Sequence, residues 1–257
     1  MRHALIAGNW KMNASLLANE AWIKGFELAI KSHGLEIEGG PQIMLCVPTP
    51  YWFQMSELIR KSSLPIILGA QNVSEHEKGA FTGEVSVSMM GDMNLQSVIL
   101  GHSERRQWFG ETDEAISKKV AKVLSAHLTP IVCVGESLSE RDGMKTFEVI
   151  KRQVDALLSQ IEPGDLEKLV VAYEPIWAIG TGLTATPEQA QEVHSFIRKE
   201  LLAKGPLGSK TRILYGGSMN PSNARALLSM TDIDGGLIGG ASLVPEDFLK
   251  IVSSAIA

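Results

Sequence analysis

The chain has 257 residues, 44% hydrophobic and 21% charged, with 24 Lys/Arg against 29 Asp/Glu for a net charge of −5. Those proportions are ordinary for a globular protein and exclude a disordered chain. The acidic balance, without any Lys/Arg block, leaves neither nucleic acid nor an anionic membrane surface with an electrostatic footprint. The two cysteines, Cys46 and Cys133, lie in separate apolar segments without C-x-x-C spacing and read as buried thiols of a reducing compartment, with a metal or disulfide role as the lesser alternative. No stretch reaches the ~20 apolar residues of a membrane-spanning helix. The apolar run in MRHALIAGNW stops at Gly8, too short for a secretory signal core. A soluble cytoplasmic protein is expected.

In chain order, short apolar runs rich in β-branched residues alternate with segments of helical period. The runs are 4–8 (ALIAG), 43–47 (IMLCV), 65–69 (PIILG), 97–101 (SVILG), 130–135 (PIVCVG), 168–173 (KLVVAY), 211–215 (TRILY) and 235–239 (GGLIG). Continuous and not alternating, they suit strands of a parallel sheet buried on both faces. Between them, 139–161 places Phe147, Ile150, Val154, Leu157 and Ile161 on one helical stripe. Thr186-Pro187-Glu188-Gln189 is a capping box with proline at the first helical position. Ala190, Val193, Ile197 and Leu201 follow on one face, and Gly205-Pro206 stops that helix. Pro245 opens a last helix with Phe248, Ile251 and Val252 on its inner face. Eight such units without an interior linker predict an α/β fold, a closed (β/α)8 TIM barrel forming a single domain over 1–257. An open doubly wound sheet is the alternative, but neither GxGxxG nor GxxxxGKS/T follows any run.

In a parallel barrel, chemistry sits where strands end and βα-loops begin. Asn9, Trp10 and Lys11 follow the first run, Gly101-His102-Ser103-Glu104-Arg105-Arg106 the fourth, and Glu174 ends the sixth. Tyr215-Gly216-Gly217-Ser218 and Gly239-Gly240 close the seventh and eighth. Each has a plain explanation when taken singly. Lys11 can be a solvated loop residue. His102 can be structural, as His3, His33, His76, His127 and His194 read as surface or helix residues. Gathered at matching strand ends, they point to a site. Glu174, directly after Leu169–Tyr173, should lose part of its hydration, which makes a carboxylate a better base. The glycine pairs suit either tight turns or a phosphate held by backbone N–H groups.

Two loops are long. Pro175–Ala185 (PIWAIGTGLTA) exceeds the roughly 2–6 residues usual for a βα-loop and carries Ile176, Trp177 and Ile179, with Gly180 and Gly182 as points of freedom. It reads as a lid that keeps water from the site, or as a static flap. Gln71–Val85 protrudes with Phe81 in polar company. Such an apolar tip wants a pocket on a second subunit, unless the segment is an Ω-loop folded on its own barrel.

AGNWKMN (7–13), GHSERR (101–106), YEPIWAIGTG (173–182), YGGS (215–218) and IGGASL (238–243) stand in the order and spacing of the triosephosphate isomerase family. The sequence resembles this family over nearly its whole length, and the family itself exemplifies the barrel and its neutral-imidazole electrophile. The resemblance implies interconversion of dihydroxyacetone phosphate and D-glyceraldehyde 3-phosphate through an enediolate, in glycolysis and gluconeogenesis, with no metal and no cofactor. Glu174 would move a proton between adjacent carbons, and His102 would polarise the carbonyl as a neutral ring. Lys11 would offset the charge of phosphate and enediolate, and Asn9 would donate to a substrate oxygen. The backbone of Trp10 would line the substrate site, and Gly180, Ser218, Gly239 and Gly240 would contact the phosphate, with Tyr215 and Ser218 latching the lid. GAFTGE (79–84) resembles a segment that inserts into a partner subunit, Thr82 reaching toward the neighbour's site, which implies a homodimer. Leu183 departs from the lysine many relatives carry at the lid hinge, and Gly236 adds a flexible residue to the short eighth strand. A Schiff-base aldolase and a non-catalytic phosphate-ester binder are the rival readings; before Glu174 the sixth run offers the aldolase Val170-Val171-Ala172, which leaves Lys11 as the rim lysine to suspect.

Overall fold

The computed structural model describes residues 2–35, 37, 39–180 and 184–256, so Gly182 and Leu183 lie outside the described residues. The strands are β1 (Leu5–Asn9), β2 (Gln42–Cys46), β3 (Ile66–Ala70), β4 (Ser97–Leu100), β5 (Thr129–Val134), β6 (Val170–Tyr173), β7 (Arg212–Tyr215) and β8 (Gly235–Ile238). All pair in parallel in sequence order, and β8 returns to β1 with Leu5 opposite Gly235. That last pairing closes the predicted barrel and excludes the open sheet. The helices are α1 (Leu16–His33), α2 (Trp52–Ser62), α3 (Val87–Asp92), α4 (Ser103–Phe109), α5 (Asp113–Ser125), α6 (Leu138–Asp142), α7 (Thr146–Leu158), α8 (Pro187–Lys204), α9 (Ala224–Leu228) and α10 (Pro245–Ser254). No described helix is long and apolar enough to cross a membrane.

Strand geometry sends successive side chains to opposite faces. Leu5, Ala7, Met44, Cys46, Ile99, Ile131, Cys133, Val170, Ala172, Leu214 and Leu237 therefore fill the barrel interior. Their alternates, such as Ile6, Ile43, Leu45 and Ile213, pack outward against the helices. Both cysteines are free and buried, and burial pushes the Cys46 thiol up to about 12, which leaves it inert. Gly236 sits opposite Ile6 and Tyr215; a Cβ there would lie 2.7 Å from Met219 Sδ, so its missing side chain makes room for Met219.

The helix expected over 139–161 is instead two. Ser137 caps α6 reciprocally with Glu140, and Met144 turns left-handed at φ 56° before α7 restarts at Thr146. The apolar stripe is consequently phased by α7 alone. Val149, Ile150, Val154 and Leu157 are buried, while Phe147 stays half-exposed beside Phe196. The capping box of α8 forms as its sequence dictates, and Ala190, Val193, Ile197 and Leu201 are buried.

Helix α8 also buries two residues that apolar patterning does not explain. Arg198 bonds Asp234 at 2.6 Å and the carbonyls of Gly208 and Thr211, while Arg2 reaches Asp234 from the other side at 2.5 Å. His194 packs edge-on to Tyr173 with Nδ1 3.1 Å from the Asp232 carbonyl. Burial pushes its ring down to about 4. An unfolded histidine takes up a proton near 6.5, so between these values the unfolded chain binds more protons and stability falls as pH falls. Urea titrations should show His194 costing the fold about 2 kcal/mol between pH 7 and pH 5. His194→Gln should flatten that part of the pH profile; an unchanged slope would mean the ring is not held neutral.

Candidate active site

A cavity of about 320 Å³ opens where the strands end, and Asn9, Lys11, His102, Glu174, Gly180, Ser218, Gly239 and Gly240 all line it. Of the predicted site residues Trp10 alone does not, its ring packing outward against Trp22 at 5.5 Å. His102 occupies the N-cap of α4, its Nδ1 accepting the Glu104 N–H at 3.2 Å. A ring that accepts at Nδ1 carries its proton on Nε2 when neutral. That nitrogen lies 3.0 Å from Glu174 Oε1, and Glu174 Oε2 accepts the Ser103 N–H at 2.8 Å. One short segment of backbone thus fixes both the tautomer and the carboxylate, and both side chains are buried.

The glycine turn after β7 has a steric role beside the one read from sequence. A Cβ on Gly216 would stand 2.8 Å from Glu174 Cγ, so glycine there clears the carboxylate's position. Lys11 takes a left-handed φ of 49°, held by its N–H to Asn9 Oδ1 at 3.0 Å and its carbonyl to Gln71 at 2.9 Å. Its ammonium is held over the rim by Glu104 at 2.6 Å. With Oδ1 of Asn9 accepting, the amide NH2 remains its donor group. Gly239 lies against the Lys11 stem, Cε being 3.5 Å from where its Cβ would be.

Sequence reasoning missed the groups that hold these residues. Glu136, fully buried, accepts from Tyr173 at 3.1 Å, Trp177 at 3.0 Å and Arg141 at 3.0 Å. Arg141 also lies 4.6 Å over the Trp177 ring, so the first part of the loop 175–185 is anchored by an ion pair whose carboxylate is buried. Ser218 Oγ donates to the Ala178 carbonyl at 2.8 Å and ties the same segment to the turn after β7. A carboxylate following directly on the apolar run 130–135 is the signal that could have found Glu136. Glu111 accepts from Gly101 N at 3.2 Å, Arg105 at 3.3 Å and Lys119, which also reaches Asn72 at 2.9 Å. Burial raises the Glu111 carboxyl, but Lys119 and Arg105 outweigh that and hold it below the usual carboxylate range. A second cavity, about 440 Å³, shares Asn9, Lys11 and His102 and continues to Met12, Val85 and Phe109. In the segment 71–85 beside it, half-exposed Phe81 stacks on His76 at 3.8 Å.

A closed barrel whose rim sets a buried carboxylate against an imidazole and a lysine, with glycine turns after its last two strands, defines a barrel enzyme of proton-transfer chemistry on small anionic substrates. Residues 4–255 match the family described as Triosephosphate isomerase. A triosephosphate isomerase of Herminiimonas arsenicoxydans is 52% identical, the match covering 99% of this chain and 100% of that protein. Those of Albidiferax ferrireducens and Paracidovorax citrulli are 49% and 48% identical, covering 99% and 98% of this chain and 100% and 98% of theirs. The chain belongs to the triosephosphate isomerase family.

The Gly216 contact gives a direct test. Gly216→Ala should displace the Glu174 carboxylate on the order of 1 Å and lower kcat for triose-phosphate isomerisation roughly 10²-fold while circular dichroism stays unchanged. An unaltered kcat would show that the carboxylate's position is not used.

Proposed function

We propose that Glu174, His102, Lys11 and Asn9 carry the reaction of this family on this chain, the interconversion of dihydroxyacetone phosphate and D-glyceraldehyde 3-phosphate. The observation that carries this reading is the 3.0 Å contact between His102 Nε2 and Glu174 Oε1. An N–H donor and a buried carboxylate that meet can each exchange the other for a substrate atom. The carbonyl oxygen accepts a hydrogen bond from Nε2–H; Glu174 takes the proton from the hydroxyl-bearing carbon and delivers it to the former carbonyl carbon, while His102 passes its Nε2 proton to the former carbonyl oxygen and recovers one from the neighbouring hydroxyl. Charge developing on the enediolate oxygens meets the imidazole N–H, the Asn9 amide and the Lys11 ammonium, all preset before reaction. The phosphate lies against the backbone of Gly180, Gly239 and Gly240 and beside Ser218, with the segment 175–185 as the lid that excludes water. Among the described residues, β6 turns Val170 and Ala172 into the interior, which gives a Schiff-base aldolase no lysine.

The same reading places the enzyme in glycolysis and gluconeogenesis, in the cytoplasm, as a homodimer. The loop 71–85 supplies the dimer contact, Phe81 and Thr82 entering the partner's groove beside Met12, Val85 and Phe109.

The reaction is tested by a coupled assay from glyceraldehyde 3-phosphate, following dihydroxyacetone phosphate by NADH oxidation with glycerol-3-phosphate dehydrogenase. Turnover should fall on the order of 10²-fold in Glu174→Asp, which retracts the carboxylate by about 1 Å; full activity in that variant would remove Glu174 from the reaction. Exchanging both Phe81 and Thr82 for Asp should give monomers in analytical ultracentrifugation. A persistent dimer would show that the loop serves its own subunit.

A further inference from the structure

The opposite mouth of the barrel, where the strands begin, holds a cavity of about 520 Å³ lined by Arg2, His3, Glu167, Ser209, Lys210 and Arg212. Strand alternation explains how Arg212 comes to face it. Leu214, two residues on, belongs to the interior layer, as does Met44, two residues after Gln42. Arg212 and Gln42 are thus the next residues outward on the interior faces of their strands, and Arg212 Nη1 donates to Gln42 Oε1 at 2.5 Å. The guanidinium is held largely out of water, burial lowering its basicity, and among the described residues it forms no ion pair. Asp234 attracts it from a distance, but that carboxylate is already committed to Arg2 at 2.5 Å and Arg198 at 2.6 Å.

Removing a cation from water without a counter-ion is costly, and a bound anion relieves that cost. Lys210 is the second cation at this mouth. Its only ion pair among the described residues is with Glu167 at 3.2 Å, and both partners are well exposed, so the pair is weak and exchangeable. Arg2 is saturated by Asp234 and by the carbonyls of Ser209 and Thr231, and serves as a wall. A planar guanidinium and an exposed ammonium at one mouth match a dianion that offers several acceptor oxygens.

We propose that the N-terminal mouth of the barrel is a second binding site, for a phosphate group, held by Arg212 and Lys210. It lies at the far end of β7 from Tyr215, roughly 10 Å along the strand, and uses none of the residues assigned to the reaction. A bound phosphate there stabilises the folded chain without entering the chemistry.

Equilibrium dialysis of the full chain against radiolabelled inorganic phosphate tests this. The wild type should bind one phosphate more than Arg212→Gln does. Lys210→Glu, a substitution at an exposed position that leaves folding intact, should weaken the same site about tenfold or more. Both variants should keep kcat and KM for triose phosphates within a factor of about two. Displacement of that phosphate by glycerol 2-phosphate would assign the site to phosphate esters; resistance to displacement would assign it to free phosphate. Equal stoichiometry in the wild type and Arg212→Gln, or an affinity unmoved by Lys210→Glu, would overturn the proposal.

Discussion

The structure depends on a single imidazole that satisfies two partners at once. His102 closes the first turn of α4 by accepting at Nδ1, and this leaves Nε2–H to face Glu174. The Ser103 N–H of the same turn holds the second oxygen of that carboxylate. Capping, tautomer and carboxylate orientation are therefore one constraint, because a helix start leaves N–H groups that need acceptors. Moving the ring proton to Nδ1 would break the cap and set an unprotonated Nε2 against a carboxylate, two acceptors with no hydrogen between them.

Closure of the barrel lets residues far apart in sequence meet in this way. Register brings Val134 beside Tyr173 and Tyr173 beside Tyr215, so the strand ends share one rim. Backbone contact is close enough there that a Cβ on Gly135 would stand 1.8 Å from the Glu174 carbonyl. Lys11 shows the cost of such placement: its left-handed backbone is disfavoured for a side chain of its size. Bonds from Asn9 and Gln71 to its backbone compensate. The buried carboxylates Glu136 and Glu111 do comparable work one layer out, fixing the start of the segment 175–185 and the base of the loop 71–85.

Much of this was legible in the residues alone. The eight apolar runs fall on the eight strands because a sheet covered on both faces has no polar side to obscure the pattern. Their C-terminal neighbours then had to share a rim, which brought Asn9, Lys11, His102 and Glu174 together. What stayed hidden is pairwise. The segment 139–161 reads as one helix although Asp142-Gly143 ends α6, because its apolar stripe starts only at Phe147 and carries no phase for the residues before it. The Lys11–Glu104 pair joins positions 93 residues apart, and no local spacing encodes it. Gly216 read as part of a tight turn or of a phosphate-binding one, and its clearance for Glu174 emerged only from packing. Arg212 passed as the edge of an apolar run because its isolation depends on where Asp234 spends its charge.

The most direct test is a histidine-selective 15N NMR spectrum of the free protein at neutral pH, with His102 assigned by its loss in His102→Gln. The geometry requires a protonated Nε2 and a bare, accepting Nδ1. A proton on Nδ1, or a doubly protonated ring, would contradict the cap and with it the paired arrangement of His102 and Glu174 on which the proposed proton transfer rests.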